Sequence, residues 1–274
     1  MKPAYLGANA HTHSQFCDGK CTAEQMAQAA FEKGFHTLGF SSHSALKNEA
    51  WTLRDPKAYT DEIQRLKQKY AGRMAVVQGL EWDLDSDPAD RDGYEYVIGS
   101  VHRIKGPVSS LTFEVDHTLE EMQICRDHEF EGDGVAMACA YFDRVEQMID
   151  QKPDILGHMD LIRKHNSKNV LFPEDSPEIV NRSLEVLEKA VRAGILVEIN
   201  TGGNYRGYRT DFYPAERLLA EFARMGGRIT LSSDSHDAES LGWKFEEATQ
   251  KVKRAGFKSL WVLTGNGFEE VEIQ

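Results

Sequence analysis

The sequence predicts a closed or nearly closed (β/α) barrel, and two observations carry that prediction. Short apolar runs rich in β-forming residues alternate with longer amphipathic stretches, which is the pattern of βα units and a parallel sheet. Histidines and carboxylates recur where these runs end, and in such barrels the chemistry lies at the carboxyl ends of the strands. With seven or eight units in 274 residues, we expect a single domain over residues 1–274.

The predicted strands and helices follow from these runs. The eight predicted strands cover residues 5–11, 36–43, 74–83, 94–102, 153–160, 194–200, 227–236 and 259–265. The clearest helical patterns cover residues 22–34, 55–72, 176–194 and 213–227. Several of these helices begin with Thr, Asp or Ser, as N-caps do, and end in Gly, which tolerates the left-handed conformation of a C-cap.

The composition excludes several classes of protein. The net charge is −12, from 32 basic and 44 acidic residues, which argues against nonspecific binding to nucleic acid or anionic membranes because both need a basic face. No apolar run is long enough for a membrane span or a signal peptide, so we expect a cytoplasmic protein. No second close cysteine pair accompanies Cys17 and Cys21, so we expect reduced thiols there and at Cys125 and Cys139.

Six of the ten histidines fall at the ends of predicted strands, and carboxylates accompany them. These histidines are His11, His13, His43, His102, His158 and His236. The side chains of an H-x-H pair on a strand point to the same face, so His11 and His13 suit one divalent ion. A mixed set of imidazoles and carboxylates suits Zn, Mn or Fe. Together with Glu81 and Asp234 the set is too large for one ion, which indicates two or three.

Short motifs recur in a fixed order along nearly the whole chain. They are HTH (11–13), DG (18–19), SSH (41–43), GLEWD (79–83), GSVH (99–102), ILGHMDLIRK (155–164), VEINTGG (197–203) and SSDSH (232–236). With these motifs the chain resembles the PHP superfamily, named for polymerase and histidinol phosphatase, and within it the monofunctional histidinol-phosphate phosphatases. The resemblance implies a distorted (β/α)7 barrel with a trinuclear metal centre at the carboxyl ends of the strands.

The resemblance also implies how nine ligands are distributed over three metal sites. The first site takes His11, His13, Glu81 and Asp234. The second shares Glu81 and adds His102 and His158. The third takes His43, His236 and Asp18, the last from a loop in which many relatives have a histidine.

The implied activity is metal-dependent hydrolysis of L-histidinol phosphate to L-histidinol and phosphate, a step of histidine biosynthesis. Two ions about 3.5–4 Å apart can share a hydroxide that attacks phosphorus. Such a reaction needs positioning and charge stabilisation more than covalent chemistry, so no Ser or Cys nucleophile is required.

The predicted phosphate ligands are Arg163 and Arg206, because the planar fork of arginine suits phosphate oxygens. Lys164 and Arg209 are neighbouring alternatives. Asp160, Asp234 and His236 are candidates for the acid that protonates the leaving alkoxide, and the sequence leaves the choice among them open.

The ammonium and imidazole of histidinol phosphate call for acceptors and aromatic faces. Candidates are Asp83, Asp160, Tyr205, Tyr208, Glu49 and Trp51. His165, which follows Arg163 and Lys164, is a weaker candidate for a position near the substrate. His117 and His128 fall in an acidic helical region and are expected to be solvated.

Three other functions compete with this one. A PHP phosphoesterase for a nucleotide or sugar phosphate would share the metal ligands. A nuclease-like PHP module is disfavoured by the charge of −12. A non-catalytic PHP fold, kept for structure or partner binding, should have lost ligands, yet every expected metal position has a usable side chain. We therefore expect a small phosphorylated substrate and no nucleic-acid or membrane partner; the oligomeric state stays open.

Overall fold

The computed structural model describes residues 3–47 and 49–274 and contains eleven strands and eight α-helices in that part of the chain. The strands are β1 (Ala8–Asn9), β2 (Thr37–His43), β3 (Ala75–Asp83), β4 (Tyr96–Ser100), β5 (Arg103–Lys105), β6 (Thr112–Glu114), β7 (Ile155–Leu156), β8 (Leu196–Asn200), β9 (Ile229–Ser232), β10 (Ser259–Thr264) and β11 (Gly267–Glu272). The helices are α1 (Ala23–Glu32), α2 (Pro56–Tyr70), α3 (Leu119–Ile124), α4 (Gly134–Asp150), α5 (Pro177–Ala193), α6 (Gly202–Tyr205), α7 (Glu216–Arg224) and α8 (Phe245–Ala255).

Seven strands form one parallel sheet in the order β1-β2-β3-β4-β7-β8-β9. The two edge strands meet just beyond their carboxyl ends, where Thr12 and Ser235 form a parallel bridge. There the backbone N–H of His13 donates to the carbonyl of Ser235 at 2.8 Å, and the N–H of Ser235 donates to the carbonyl of His11 at 3.1 Å. This closure confirms the predicted seven-stranded, nearly closed barrel.

The eighth predicted strand behaves differently from the others. β10 does not join the parallel sheet but pairs antiparallel with β11, a strand that the sequence pattern did not predict. Leu263 of this hairpin packs into an apolar cluster with Val77, Tyr96 and Leu196, which lie near the amino ends of their strands. The hairpin therefore fills the end of the barrel opposite the strand-end histidines.

Local sequence signals fix the helix boundaries. The Thr22 hydroxyl accepts the N–H of Gln25 at the start of α1, and the Asp55 carboxylate accepts the N–H of Ala58 at the start of α2. Helix α5 ends at Ala193 and is capped by Gly194, whose φ of 72° lies in the left-handed region that glycine enters without a steric penalty. Among the helices of the described residues, none combines the length and the apolar composition needed to cross a membrane.

Candidate metal centre

The strand-end histidines converge at one rim of the barrel. His11 and His13 follow β1, His43 ends β2, and Glu81 lies near the end of β3. The remaining members follow β4, β7 and β9, and are His102, His158, Asp234 and His236. Because the strands are parallel, their carboxyl ends meet at the same rim, which turns a scattered sequence pattern into one cluster.

Glu81 is the centre of this cluster, and five imidazoles surround its carboxylate. Oε2 lies 2.9 Å from His43 Nδ1, 3.1 Å from His11 Nε2 and 3.4 Å from His13 Nε2. Oε1 lies 2.9 Å from His158 Nε2 and 3.3 Å from His102 Nε2. Burial alone would raise the pKa of Glu81, but the charges of the imidazoles, His43 and His11 foremost, hold that pKa well below its usual range. The carboxylate is therefore ionised at neutral pH.

Two aspartates complete the cluster. Asp234 Oδ1 lies 3.2 Å from His13 Nε2 and 3.6 Å from His11 Nε2. Asp18 Oδ2 lies 3.0 Å from His236 Nε2, and its Oδ1 lies 3.6 Å from His43 Nε2. The Asp18 side chain is 34% exposed whereas Asp234 is 7% exposed, so the part of the cluster held by Asp18 faces solvent.

The donor atoms of the cluster fit divalent metal ions. Buried atoms without a hydrogen-bond partner include Nε2 of His11, Nε2 of His13 and Oε2 of Glu81. Unsatisfied polar atoms of this kind are costly unless something binds them. Within the described residues, four groups hold ligand atoms within 4.8 Å of one another: His13, Asp18, His43 and His236; His11, His13 and Asp234; His11, Glu81 and His158; and His43, Glu81 and His102. The structure thus brings together all nine predicted ligands.

Buried side chains behind the ligands hold their rings. Glu198 Oε2 lies 2.9 Å from His11 Nδ1, and Asp83 Oδ2 lies 2.8 Å from His102 Nδ1. The sequence pattern makes Asp83 a candidate substrate contact, but its side chain is buried behind His102 instead. Glu198 is not among the predicted site residues, and the available signal for it is a glutamate between apolar residues in VEIN.

A cavity of about 280 Å³ opens above the ligands. Its other lining residues are Trp51, Glu114, Asp116, His117, Leu161, Lys164, Arg206 and Tyr208. This wall combines two cations, two carboxylates and two large aromatic rings, the groups that a substrate with a phosphate and a positive charge requires.

Arg206, one of the two predicted phosphate ligands, lines the cavity. It donates from Nη2 to Asp234 Oδ2 at 2.8 Å and from Nη1 to the carbonyl of Asp234 at 3.0 Å. Lys164 also reaches the cavity: its Nζ lies 3.4 Å from Asp116 Oδ2 and 4.6 Å from the centre of the Tyr208 ring.

The positions of Arg163 and Asp160 do not match the roles predicted for them, because neither lines the cavity. Arg163 is 3% exposed and donates to Asp160 at 2.8 Å, to Glu174 at 2.9 Å, and to Asp211. The short 3-10 turn Leu161–Arg163 directs this guanidinium inward, whereas the next residue, Lys164, points to the cavity. Asp160 is 1% exposed and accepts from Arg163, so it serves as a buried counter-ion.

Three of the other predicted contacts also lie outside the cavity wall. Glu49 accepts from Arg103 Nη2 at 2.7 Å. Arg209 donates to Glu174 and Asp211 in the same buried network as Arg163. Tyr205 packs edge-on against Trp243, with ring centres 5.3 Å apart.

The segment between β4 and β7 supplies cavity residues that no strand-end pattern in the sequence indicates. Glu114, Asp116 and His117 come from its β5–β6 hairpin and the turn that follows. His117 was expected to be solvated; its side chain is 65% exposed, yet it stands at the mouth of the cavity. His165 lies beside this wall, with its Nε2 3.2 Å from the carbonyl of Asp116 and its ring edge-on to Tyr208.

Comparison with known proteins agrees with this geometry. The family model described as PHP domain matches residues 9–202. The chain is 28% identical to the probable histidinol-phosphatase of Schizosaccharomyces pombe, over 94% of this chain and 91% of that protein. It is 26% identical to the histidinol-phosphatase of Bacillus subtilis, over 86% and 96% of the two chains.

The solved structure of histidinol phosphate phosphatase from Lactococcus lactis, complexed with zinc, L-histidinol and phosphate, superposes with a TM-score of 0.68 at 21% identity and covers 96% of this chain and 99% of that one. This likeness extends to the whole barrel. The family model matches more than half of the chain, and the matched segment includes seven of the nine clustered ligands. The chain therefore belongs to the PHP domain family.

Proposed function

We propose that the protein is a metal-dependent histidinol-phosphatase, which hydrolyses L-histidinol phosphate to L-histidinol and phosphate in histidine biosynthesis. The observation that carries the proposal is the cluster around Glu81 beneath a cavity with Arg206 and Lys164 in its wall. The names of the relatives support the same substrate. The continuous order of the sheet supports one phosphoesterase domain over residues 1–274.

Two or three divalent ions, Zn, Mn or Fe, would be held by the nine clustered side chains. Ions of this kind lower the pKa of coordinated water and neutralise phosphate oxygens. The chain's own contribution is to place ionised carboxylates and imidazole nitrogens around one buried point. Burial opposes ionisation of Asp234, but the guanidinium of Arg206 and the charge on His11 hold its pKa well below the usual range. Asp234 is thus available as an anionic ligand.

The cations and acceptors of the cavity wall match the two ends of the substrate. Arg206 and Lys164 are the groups that we propose to contact the phosphate, replacing the predicted pair of Arg163 and Arg206. Glu114 and Asp116 are the acceptors for the ammonium and imidazole end. Trp51 and Tyr208 offer ring faces beside them.

The proton for the leaving alkoxide has to come from a group that faces the cavity. Asp160 is excluded by position, and Asp234 is ionised. His236 is the remaining member of the three predicted candidates and lines the cavity. Its Nδ1 lies 3.0 Å from the carbonyl of Asp234 and its Nε2 lies 3.0 Å from Asp18 Oδ2, so both ring nitrogens face acceptors, as an imidazolium acid requires. His236 can act as this acid only when two ions are bound by the other eight side chains, because an ion on His236 Nε2 would take the place of the proton that the acid donates.

Arg206→Lys tests the proposed contact between Arg206 and the phosphate. Lysine keeps the charge but loses the planar fork that can bind Asp234 and a phosphate oxygen together. We expect kcat/KM for L-histidinol phosphate to fall about a hundred-fold, the scale of one lost transition-state donor. Steady-state phosphate release with bound metal measured in the same samples checks this. A variant with normal metal content and unchanged kcat/KM would contradict the proposed contact between Arg206 and the phosphate.

The substrate itself is tested by phosphate release from a panel of esters. The panel contains L-histidinol phosphate, a nucleoside monophosphate, a sugar phosphate and p-nitrophenyl phosphate. We expect the highest kcat/KM for L-histidinol phosphate. Asp116→Asn should raise KM for that ester relative to KM for p-nitrophenyl phosphate, because only the former presents a cation to the carboxylate, whereas any change at Lys164, 3.4 Å from Asp116, affects both esters.

The alternative function is a PHP phosphoesterase for another small phosphate ester. If kcat/KM is highest for the nucleoside monophosphate or the sugar phosphate, this alternative function is established. The metal centre and the phosphate contacts would then stand, while the role of Glu114 and Asp116 toward the substrate cation would be wrong.

A further inference from the structure

The Glu198 carboxylate is buried at 0% exposure and accepts four hydrogen bonds. Its Oε1 accepts from the backbone N–H of His158 at 2.6 Å and from Asn200 Nδ2 at 2.9 Å. Its Oε2 lies 2.5 Å from the Ser232 hydroxyl and 2.9 Å from His11 Nδ1. One side chain thus contacts two metal ligands of the cluster, His158 through its backbone and His11 through its ring.

We infer that Glu198 is a positioning residue that fixes the ring proton of His11 on Nδ1 and so keeps the Nε2 lone pair directed at the metal centre. The inference rests on the metal centre of the proposed function. A carboxylate offers no proton, so the His11 nitrogen that faces it has to donate. The other nitrogen, 3.1 Å from Glu81 Oε2, is then the one that an ion would bind, displacing any proton there. Carboxylates behind metal-binding histidines generally act in this way.

The surroundings of Glu198 make an amide substitution informative. Asn200 cannot turn its amide, because its Oδ1 already accepts the N–H of Gly202 at 2.8 Å. The backbone N–H of His158 cannot turn either. In Glu198→Gln the new oxygen therefore has to face these two donors, and the new NH2 has to face Ser232 and His11.

The consequence falls on His11. The Ser232 hydroxyl can rotate and accept from the new amide. His11 can accept only by moving its ring proton from Nδ1 to Nε2, which places N–H where the lone pair was. We therefore expect Glu198→Gln to remove His11 as a ligand without removing any heavy atom from the cluster.

The test measures zinc binding in the absence of substrate. Zinc affinity is obtained by competition with a chromogenic chelator, and zinc per chain by mass spectrometry, for wild type, Glu198→Gln and Ser232→Ala. Glu198→Gln should bind zinc about 10–100-fold more weakly at one site, the usual loss for a side chain that orients a ligand. Ser232→Ala removes one donor from the same oxygen and leaves the carboxylate, so its affinity should stay near that of wild type.

A second measurement does not depend on the variant folding. In zinc-loaded wild-type protein, nitrogen NMR of the histidine rings should show the His11 proton on Nδ1. A proton on Nε2, or a folded Glu198→Gln with unchanged zinc affinity, would overturn the inference. A wild-type chain that binds no zinc, manganese or iron would instead overturn the proposed function, so the two failures are distinguishable.

Discussion

Glu81→Gln should abolish phosphate release from L-histidinol phosphate, with a loss of roughly a thousand-fold or more in kcat. Glu81 contacts five imidazoles of the cluster through both of its oxygens. The amide keeps the size of the side chain but removes its charge and leaves one oxygen instead of two. Metal ions supply several kcal/mol of transition-state stabilisation in such sites, and each 1.36 kcal/mol corresponds to a factor of ten.

The measurement is phosphate release together with bound metal per chain. Glu95→Gln is the matched control, because Glu95 precedes β4 at the opposite end of the barrel and is 43% exposed. Its activity and metal content should equal those of wild type. A Glu81→Gln protein that keeps both its metal and its activity would show that the cluster around Glu81 is not the reaction centre.

Arg163→Met should destabilise the fold strongly. The guanidinium is buried among the carboxylates of Asp160, Glu174 and Asp211, and removing one partner of a buried ion pair typically costs about 3–5 kcal/mol, because a buried charge is left without compensation. Urea unfolding, followed by circular dichroism, measures the loss in the free energy of unfolding.

Arg182→Met is the matched control for this prediction. Arg182 also pairs with three carboxylates, but its partners Asp143 and Glu185 are 59% and 63% exposed. Exposed pairs contribute up to about 1 kcal/mol, so this variant should lose little. Equal losses in the two variants would contradict the structural role of Arg163.

The loss in Arg163→Met should also depend on pH. In the wild-type fold, burial works against ionisation of Glu174 and Asp211, but Arg163 and Arg209 outweigh it and hold both pKa values below the usual range. Acids with depressed folded pKa values stabilise the fold above their unfolded pKa, near 4, and this contribution is lost on acidification. The difference between wild type and variant should therefore be larger at pH 7 than at pH 4.

The clustering of the nine candidate ligands could be predicted because the signals that place them are local. An H-x-H pair, or a histidine at the end of an apolar run, needs only the strand and its direction to be placed at the rim. All nine of these side chains lie in the cluster. The barrel was predictable for the same reason, because the alternation of apolar runs with amphipathic stretches along the chain indicates βα units.

The cavity wall was harder to predict because neighbours in a turn point in opposite directions. Arg163 and Lys164 are adjacent, and the motif alone favoured the arginine. Its actual direction is set by Glu174 and Asp211, which are remote in sequence. Asp116 lies in the segment between β4 and β7. It does not follow a strand of the barrel, so the strand-end pattern that marks the histidines does not mark this residue. Glu198 was missed because its partners, Ser232 and His11, become neighbours only when the barrel closes.

The most direct test of a metal-dependent histidinol-phosphatase is phosphate release from L-histidinol phosphate by one preparation in three states. The states are the protein as purified, after dialysis against a chelator, and after reloading with Zn, Mn or Fe, each with bound metal counted. We predict that activity disappears with the metal and returns in proportion to the metal bound. Full activity in the metal-free protein, or no activity on this ester with two or more ions bound per chain, would contradict the account.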